Sequence, residues 1–155
     1  MKKNIIFIIL CIMLIGCKKK ESTNNIGKKV LSYGELLCVY KEQNVSDNTM
    51  YTSSYIFNFD KNGILNGATN KETIEFNNSS RDVKEAYKNN LEEIIKEYKD
   101  IKGLEVKKNI EDNKYSFEVI MDNNEMYDEI KKDYLLDQDR ISLYNIFNNR
   151  NYTCE

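Results

Sequence analysis

The chain has 155 residues, a formal net charge of −2, and 41% hydrophobic and 31% charged residues, a composition that suits one soluble domain with a modest core. It contains no His, Trp or Pro. The missing histidine removes the usual near-neutral general base and the commonest transition-metal ligand. The lack of a basic excess argues against nucleic acid as a partner, because phosphate neutralisation dominates such binding.

Residues 1–16 have the pattern of a bacterial signal peptide. Lys2 and Lys3 precede an uncharged apolar run from Ile5 to Ile15. The run is too short to cross a hydrocarbon core of ~30 Å, which needs about 20 residues, but it matches the apolar region of a secretory signal. Its removal, with Lys2 and Lys3, leaves 21 of the 23 basic residues against 25 acidic ones.

Residues 14–17, Leu-Ile-Gly-Cys, resemble a lipobox, the cleavage site of lipoprotein precursors. We expect cleavage before Cys17, because small Gly16 gives the peptidase access, and lipidation of the Cys17 thiol. Two acyl chains would hold the protein stably on the extracytoplasmic face of the cell membrane, because each buried methylene contributes ~0.8 kcal/mol. The polar residues that follow, 17–33, then form a lipidated N-terminus and a flexible tether. The alternative is an uncleaved signal anchor with an incidental cysteine.

Four cysteines are present, and two of them remain for the domain. Cys11 leaves with the signal peptide and Cys17 carries lipid, so Cys38 and Cys154 form an even pair in an exported domain, where disulfides persist. The alternatives are two buried free thiols or a redox-active pair. The redox reading lacks a C-x-x-C spacing or a histidine that would lower a thiol pKa.

Residues 34–155 predict a single α+β domain. We expect strands at residues 34–41, 50–60 and 64–76, with a polar loop at 42–49, an Asn62-Gly63 hairpin turn and a bend at Gly67. A helix capped by Ser79 or Ser80 carries an apolar stripe from Val83 to Ile101 and ends at Gly103. Alternating residues from Leu104 to Met121 predict a second hairpin, turned at 112–113. One or two short helices follow, at about 126–134 and 141–147, before a strand or extended tail at 152–154. The expected fold is an antiparallel sheet of about four to five strands with one long amphipathic helix and one or two short C-terminal helices on one face.

Two features are candidates for binding. Acidic residues between Asp122 and Asp139 offer oxygen ligands for a hard cation, but they lack EF-hand spacing, and a solvated helix face is the simpler interpretation. Several of the 11 tyrosines fall at strand or helix positions. Tyr51, Tyr55, Tyr87 and Tyr98 predict core packing, whereas Tyr40, Tyr127 and Tyr144 are possible surface contacts for a peptide or sugar. No metal site or cofactor is predicted.

No catalytic constellation is evident in the sequence. A serine hydrolase without histidine needs a Ser-Lys pair, and neither an S-x-x-K segment in a suitable context nor a phosphate-binding glycine loop is present. Paired carboxylates stay open, because Asp and Glu are abundant and nothing selects a pair.

Four segments carry a resemblance to a family: residues 37–40 (LCVY), 60–63 (DKNG), 99–104 (KDIKGL) and 151–155 (NYTCE). They look like a set of small Gram-positive lipoproteins, of uncharacterised function, with a C-terminal GYTC motif, and more distantly like YehR-type lipoproteins. Val39 stands where those proteins usually have Thr, and Asn151 where they have Gly. The resemblance implies an α+β layout and a Cys38–Cys154 disulfide, and it implies no activity.

The sequence therefore predicts a membrane-anchored lipoprotein with a non-enzymatic binding or interaction domain at the cell envelope. Its expected partners are the membrane, through the lipid, and an envelope protein or glycan. The alternatives are a carboxylate-based envelope hydrolase and a small-ligand-binding accessory protein. A cleft with two convergent carboxylates favours the hydrolase, and an exposed aromatic patch favours binding.

Overall fold

The computed structural model describes residues 33–155. The predicted signal peptide, Cys17 and the tether as far as residue 32 lie outside the described residues. The elements in chain order are β1 (Gly34–Asn44), β2 (Thr49–Phe59), β3 (Leu65–Phe76), α1 (Arg81–Tyr98), β4 (Leu104–Glu111), β5 (Lys114–Asp122), α2 (Asp128–Asp133), α3 (Arg140–Asn149) and β6 (Thr153–Cys154).

The six strands form one antiparallel sheet with the order β4-β5-β3-β2-β1-β6. Three strands, β1, β2 and β3, form a meander, and α1 then carries the chain to the far edge at β4. Strand β5 returns between β4 and β3, and the short β6 pairs with the other side of β1. The two ends of the described chain therefore meet at one edge of the sheet.

The predicted fold class is wrong in its proportions of strand and helix. Strands contain 43% of the described residues and helices 28%, and the sheet has six strands instead of four to five. The long helix does not form a main layer of the core, since Leu91 and Tyr98 are the only buried residues in α1. The domain is mostly β, with three helices attached to its sheet.

Strand β1 accounts for part of this difference. The predicted loop at residues 42–49 is wrong, because β1 continues to Asn44 and pairs with β2 as far as Thr49. Strand β6 pairs with β1 only at Cys38 and Val39, so Glu42 and Gln43 lie on a part of β1 that is an open edge of the sheet. Charged and polar side chains are common on such an open edge, where they discourage pairing with other chains.

Alternate residues of the strands point to the face that α1 and α3 cover. On this face Leu36 pairs with Phe57, and Phe57 with Ala68, in register across three strands. The Phe147 ring of α3 lies 4.7 Å from the Tyr55 ring and 5.2 Å from the Phe57 ring, and the Tyr87 ring of α1 lies 5.8 Å from that of Phe76. The most buried core residues are Leu36, Cys38, Phe57, Ala68, Val119, Leu136, Leu143 and Phe147.

The two serines before α1 have different tasks. Ser80 is the N-cap, because its Oγ accepts a hydrogen bond from the Val83 N–H (3.3 Å). The Ser79 hydroxyl instead donates to the Asp47 carbonyl (2.6 Å) and so joins the helix start to the β1–β2 turn. The helix ends at Tyr98, earlier than predicted. Gly103, with φ +84°, belongs to the turn into β4, where a Cβ would overlap Met126.

A disulfide joins Cys38 of β1 to Cys154 of β6, which are 116 residues apart in the chain. Leu37 and Glu155 exchange both backbone hydrogen bonds (3.0 and 2.9 Å), so Cys38 and Cys154 form the adjacent non-hydrogen-bonded pair. Cross-strand Cα atoms are closest at such pairs, and here they are 4.1 Å apart. The bond therefore closes nearly the whole described domain.

Removing this bond tests its contribution. We expect a Cys38→Ala/Cys154→Ala protein to lose on the order of 4–5 kcal/mol of unfolding free energy, because the unfolded chain gains the entropy of a long open loop. Chemical denaturation of the oxidised protein, the reduced protein and the double variant measures the loss. Equal midpoints for the oxidised and reduced proteins, or two free thiols found by mass mapping, would contradict the pairing.

Candidate functional site

The most unusual group in the described domain is the carboxylate of Glu72, which lies in the middle of the sheet on its helix-bearing face. In the strand register Glu72 of β3 is opposite Ser53 of β2, and Ser53 is opposite Tyr40 of β1. Tyr51 is two residues from Ser53 in β2, and Asn70 is two residues from Glu72 in β3, so both lie on the same face. The side chains converge because residues two apart in a strand point to the same side of the sheet.

Three neutral groups donate hydrogen bonds to this carboxylate. The Tyr51 hydroxyl donates to Oε2, while the Ser53 hydroxyl (3.1 Å) and the Asn70 amide (3.2 Å) donate to Oε1. Asn70 directs its amide also to the Ser54 carbonyl (3.3 Å). Two elements of the sheet therefore supply all three donors.

Tyr152 adds a second layer to the network. Its hydroxyl donates to the Ser53 Oγ (2.9 Å), and the Ser53 hydroxyl in turn donates to Glu72. Tyr152 stands two residues before Cys154, and its backbone N–H donates to the Phe147 carbonyl (3.0 Å). The disulfide-linked C-terminal segment thus helps to position the groups around Glu72.

Aromatic rings surround the network on the side of β1. The Tyr40 ring centre lies 5.5 Å from that of Tyr152 and 6.3 Å from that of Tyr51, and Tyr55 lies 5.9 Å from Tyr152. We call the group the Glu72 cluster, which consists of Tyr40, Tyr51, Ser53, Asn70, Glu72 and Tyr152. Ser53 is fully buried and Asn70 nearly so, whereas the other four are only half-buried and reach the surface.

Burial governs the titration of the cluster. Desolvation raises the pKa of Glu72 above its ordinary 4.5, although the hydrogen bonds from Tyr51, Asn70 and Ser53 act against it. Desolvation, followed by the negative charge of Glu72, also raises the pKa of Tyr51. The pKa of Tyr40 rises to about 12, mainly through burial and then through its hydrogen bond to Glu42. The phenols therefore stay protonated near neutral pH.

No basic side chain forms an ion pair with Glu72 in the part of the chain that the structure describes. The charge of Arg150 reaches Tyr55 and Tyr152, but its guanidinium lies over the Phe147 ring at 5.9 Å. Charged groups that lose part of their water usually gain an opposite charge nearby, because an unpaired charge is costly to desolvate. The carboxylate therefore has three hydrogen-bond donors but no cation partner among the described residues.

The chemistry of the cluster follows from the groups it brings together and from their exposure. It contains a carboxylate, phenol hydroxyls and aromatic rings at a surface. Its one candidate nucleophile, Ser53, is 0% exposed and cannot reach a substrate. Most glycosidases use two carboxylates across the scissile bond, and the second carboxylate near the cluster, Glu42, is exposed and hydrogen-bonded to Tyr40 (2.9 Å).

The predicted acidic stretch has structural contacts. The Asp139 carboxylate caps α3 by accepting from the Ser142 N–H (2.9 Å), which lowers the pKa of Asp139. Asp128 pairs with Lys131 (2.9 Å), and Asp122 accepts from the Asn124 N–H (2.8 Å) in the turn after β5. Among residues 33–155 no three His, Cys, Asp or Glu side chains are arranged to hold a metal ion.

The predicted site residues have separate outcomes. Cys38 and Cys154 are bonded to each other, whereas Cys17 lies beyond the described range. Tyr55 packs in the core, and Tyr87 and Tyr98 pack beneath α1, as predicted. Tyr127 is 62% exposed, but Tyr40, considered only as a surface contact, belongs to the Glu72 cluster.

Sequence reasoning missed Glu72, although a signal was present. In β3 the residues Ala68, Asn70, Glu72, Ile74 and Phe76 alternate with Thr69, Lys71, Thr73 and Glu75. The apolar members of the first set mark the inward face, so Glu72 is in phase with the core. A carboxylate in that phase is a signal for a buried charge.

Two open cavities of about 250 Å³ lie away from the cluster. One is lined by residues 63–65, 123 and 136–139, and the other by residues 103–105, 120, 122 and 125. Neither contains a residue of the Glu72 cluster. Within the described range, no helix is both long enough and apolar enough to span a membrane.

Comparisons with protein-family models, with curated proteins and with solved structures give no match for this chain. The site must therefore be interpreted from its own geometry.

The charge on Glu72 gives the fold a specific pH dependence. A carboxyl whose pKa is raised on folding stabilises the fold most below its unfolded pKa, and this contribution is lost as pH rises through the folded pKa. We expect wild type to lose stability relative to Glu72→Gln as the pH is raised above 4.5, the ordinary pKa of this carboxyl, since glutamine does not ionise. Denaturation curves at several pH values measure the difference.

Glu75→Gln is the matched control, because Glu75 lies on the same strand but is exposed and pairs with Lys114 (2.9 Å) at the surface. It should not show the same trend. A difference between wild type and Glu72→Gln that is constant across this pH range would show that Glu72 does not titrate with folding.

Proposed function

We propose that the chain is the precursor of a lipid-anchored envelope protein. Cleavage before Cys17 and lipidation of that residue place the domain on the extracytoplasmic face of the cell membrane, with residues 17–33 as the tether. The order of cationic start, apolar run and lipobox supports this proposal. The Cys38–Cys154 disulfide is a further support, because such bonds persist in oxidising compartments outside the cytosol. Membership of the GYTC lipoproteins is part of the same proposal.

The function proposed for the domain is binding of an envelope partner at the Glu72 cluster, without catalysis. The observation that carries this proposal is a half-buried carboxylate among three surface-reaching tyrosines that has no cation partner among residues 33–155. Such a group is costly to keep in a fold and is typical of functional sites. Tyrosine is also enriched at interfaces, because its ring buries apolar area while its hydroxyl stays hydrogen-bonded.

The hydrolase is the weaker alternative. Its support is one carboxyl with a raised pKa, which suits a general acid. Against it stands the fully buried Ser53, which leaves the cluster without an accessible nucleophile, and the lack of a second desolvated carboxylate in the cluster. The binding proposal uses every half-buried member of the cluster, whereas the hydrolase uses only Glu72.

The anchor is tested by metabolic acyl labelling of cells that produce the full chain. We expect the wild-type protein to carry label and to sediment with membranes. The Cys17→Ala protein should lose the label, because the thiol is the acceptor. A Cys17→Ala protein that is still labelled would overturn the lipidation site.

The binding proposal is tested by photo-cross-linking in living cells. A benzophenone amino acid at Tyr40, at the rim of the cluster, should give a discrete cross-linked product that mass spectrometry identifies. The same amino acid at Lys88, exposed on α1, is the matched control. Equal products from both positions, or none from position 40, would argue against the cluster as the contact surface.

A further inference from the structure

The hydrogen bonds of Glu72 leave one defined position for a ligand. An ionised carboxylate has about four acceptor positions, two on each oxygen. Ser53 and Asn70 occupy Oε1, and Tyr51 occupies one position on Oε2. One acceptor position therefore remains, and it is on Oε2.

A single free position selects among cationic groups. Guanidinium binds carboxylates best through two parallel hydrogen bonds, one to each oxygen, and Oε1 is already filled. An ammonium group is a compact point charge that can use one carboxylate oxygen and turn its other N–H groups to different acceptors. The arrangement therefore favours ammonium over guanidinium.

The tyrosines offer those other acceptors. The hydroxyls of Tyr51 and Tyr152 direct their hydrogens to Glu72 and Ser53, so the lone pairs of both phenol oxygens can accept from a ligand. The rings of Tyr40, Tyr51 and Tyr152 add cation–π attraction for a positively charged group. Exposed Glu42 beside Tyr40 adds a second negative charge at the rim, which raises the local concentration of cations.

We propose that the Glu72 cluster binds a primary ammonium group, which supplies the cation that the described residues do not provide. The group can belong to a lysine side chain of a peptide or to an amino sugar, since both present the same chemistry at an envelope. The inference rests on the proposed binding function and adds to it the class of ligand.

The test is a titration of the full chain, purified in detergent and labelled with ¹⁵N, followed by amide chemical shifts. The probes are Nα-acetyl-lysine methylamide and glucosamine, with their N-acetylated forms, Nα,Nε-diacetyl-lysine methylamide and N-acetylglucosamine, as neutral controls. We expect saturable shifts at Tyr40, Ser53, Glu72 and Tyr152 with at least one ammonium probe. Its acetylated form should bind at least tenfold more weakly. The probe that binds more tightly identifies the source of the ammonium group.

Two variants test the role of the carboxylate. Glu72→Gln should weaken the ammonium probe at least tenfold, while Glu75→Gln should leave its affinity unchanged. Tyr152→Phe keeps the ring and the carboxylate but removes one acceptor, so a several-fold loss is expected even where Glu72→Gln fails to fold. Saturable shifts with equal affinity for ammonium and acetylated probes, or no shifts in the cluster, would overturn the inference. If the cross-linking from position 40 still captures a partner, the binding function stands without this ligand class.

Discussion

Much of the domain is arranged around one desolvated negative charge. Glu72 extends from the central strand β3 into the helix-bearing side of the sheet, where no basic side chain of the described residues pairs with it. An uncompensated charge in such a place is unfavourable by several kcal/mol unless hydrogen bonds replace the lost water. That requirement explains why polar Ser53 and Asn70 are nearly or fully buried on a face otherwise filled by Leu36, Phe57 and Ala68.

The same requirement connects the two ends of the described chain. Ser53 donates to Glu72 while its oxygen accepts from Tyr152, and Tyr152 belongs to the segment that β6 attaches to β1. A two-residue strand is too short to hold such a segment by backbone pairing alone. The Cys38–Cys154 bond therefore contributes to the site as well as to stability, since it limits how far Tyr152 can move from Ser53.

The sequence predicts local features well where short-range rules decide them. The Asn62-Gly63 turn is present, with Gly63 at φ +80° and the Asp60 carboxylate accepting from the N–H groups of Asn62 and Ile64 (2.8 Å each). Features that depend on pairing partners were missed. Residues 42–44 look like a loop alone and become strand because Thr49 to Tyr51 pair with them. The prediction that the long helix is a main part of the fold was wrong for a related reason. An amphipathic stripe shows which side faces the sheet, but not how deeply the helix is buried.

The free-energy cost of desolvating Glu72 indicates that this residue serves function and not stability. A buried ionic group can often be replaced by neutral residues of similar size without loss of stability, and sometimes with a gain. Folding alone therefore does not explain a carboxylate at this position, because a glutamine oxygen would still accept from Ser53 and Asn70, and its NH2 group could donate to the Tyr51 oxygen, without the charge. A partner that brings a positive charge changes the balance, since it gains the attraction of a carboxylate that is already ordered and partly stripped of water. The side chains that order Glu72 in the free protein, namely Tyr51, which donates to it, and Tyr152, which donates to Ser53, are the same ones that would then contact the ligand. The energetic defect of the fold and the binding energy of the site thus have a common origin.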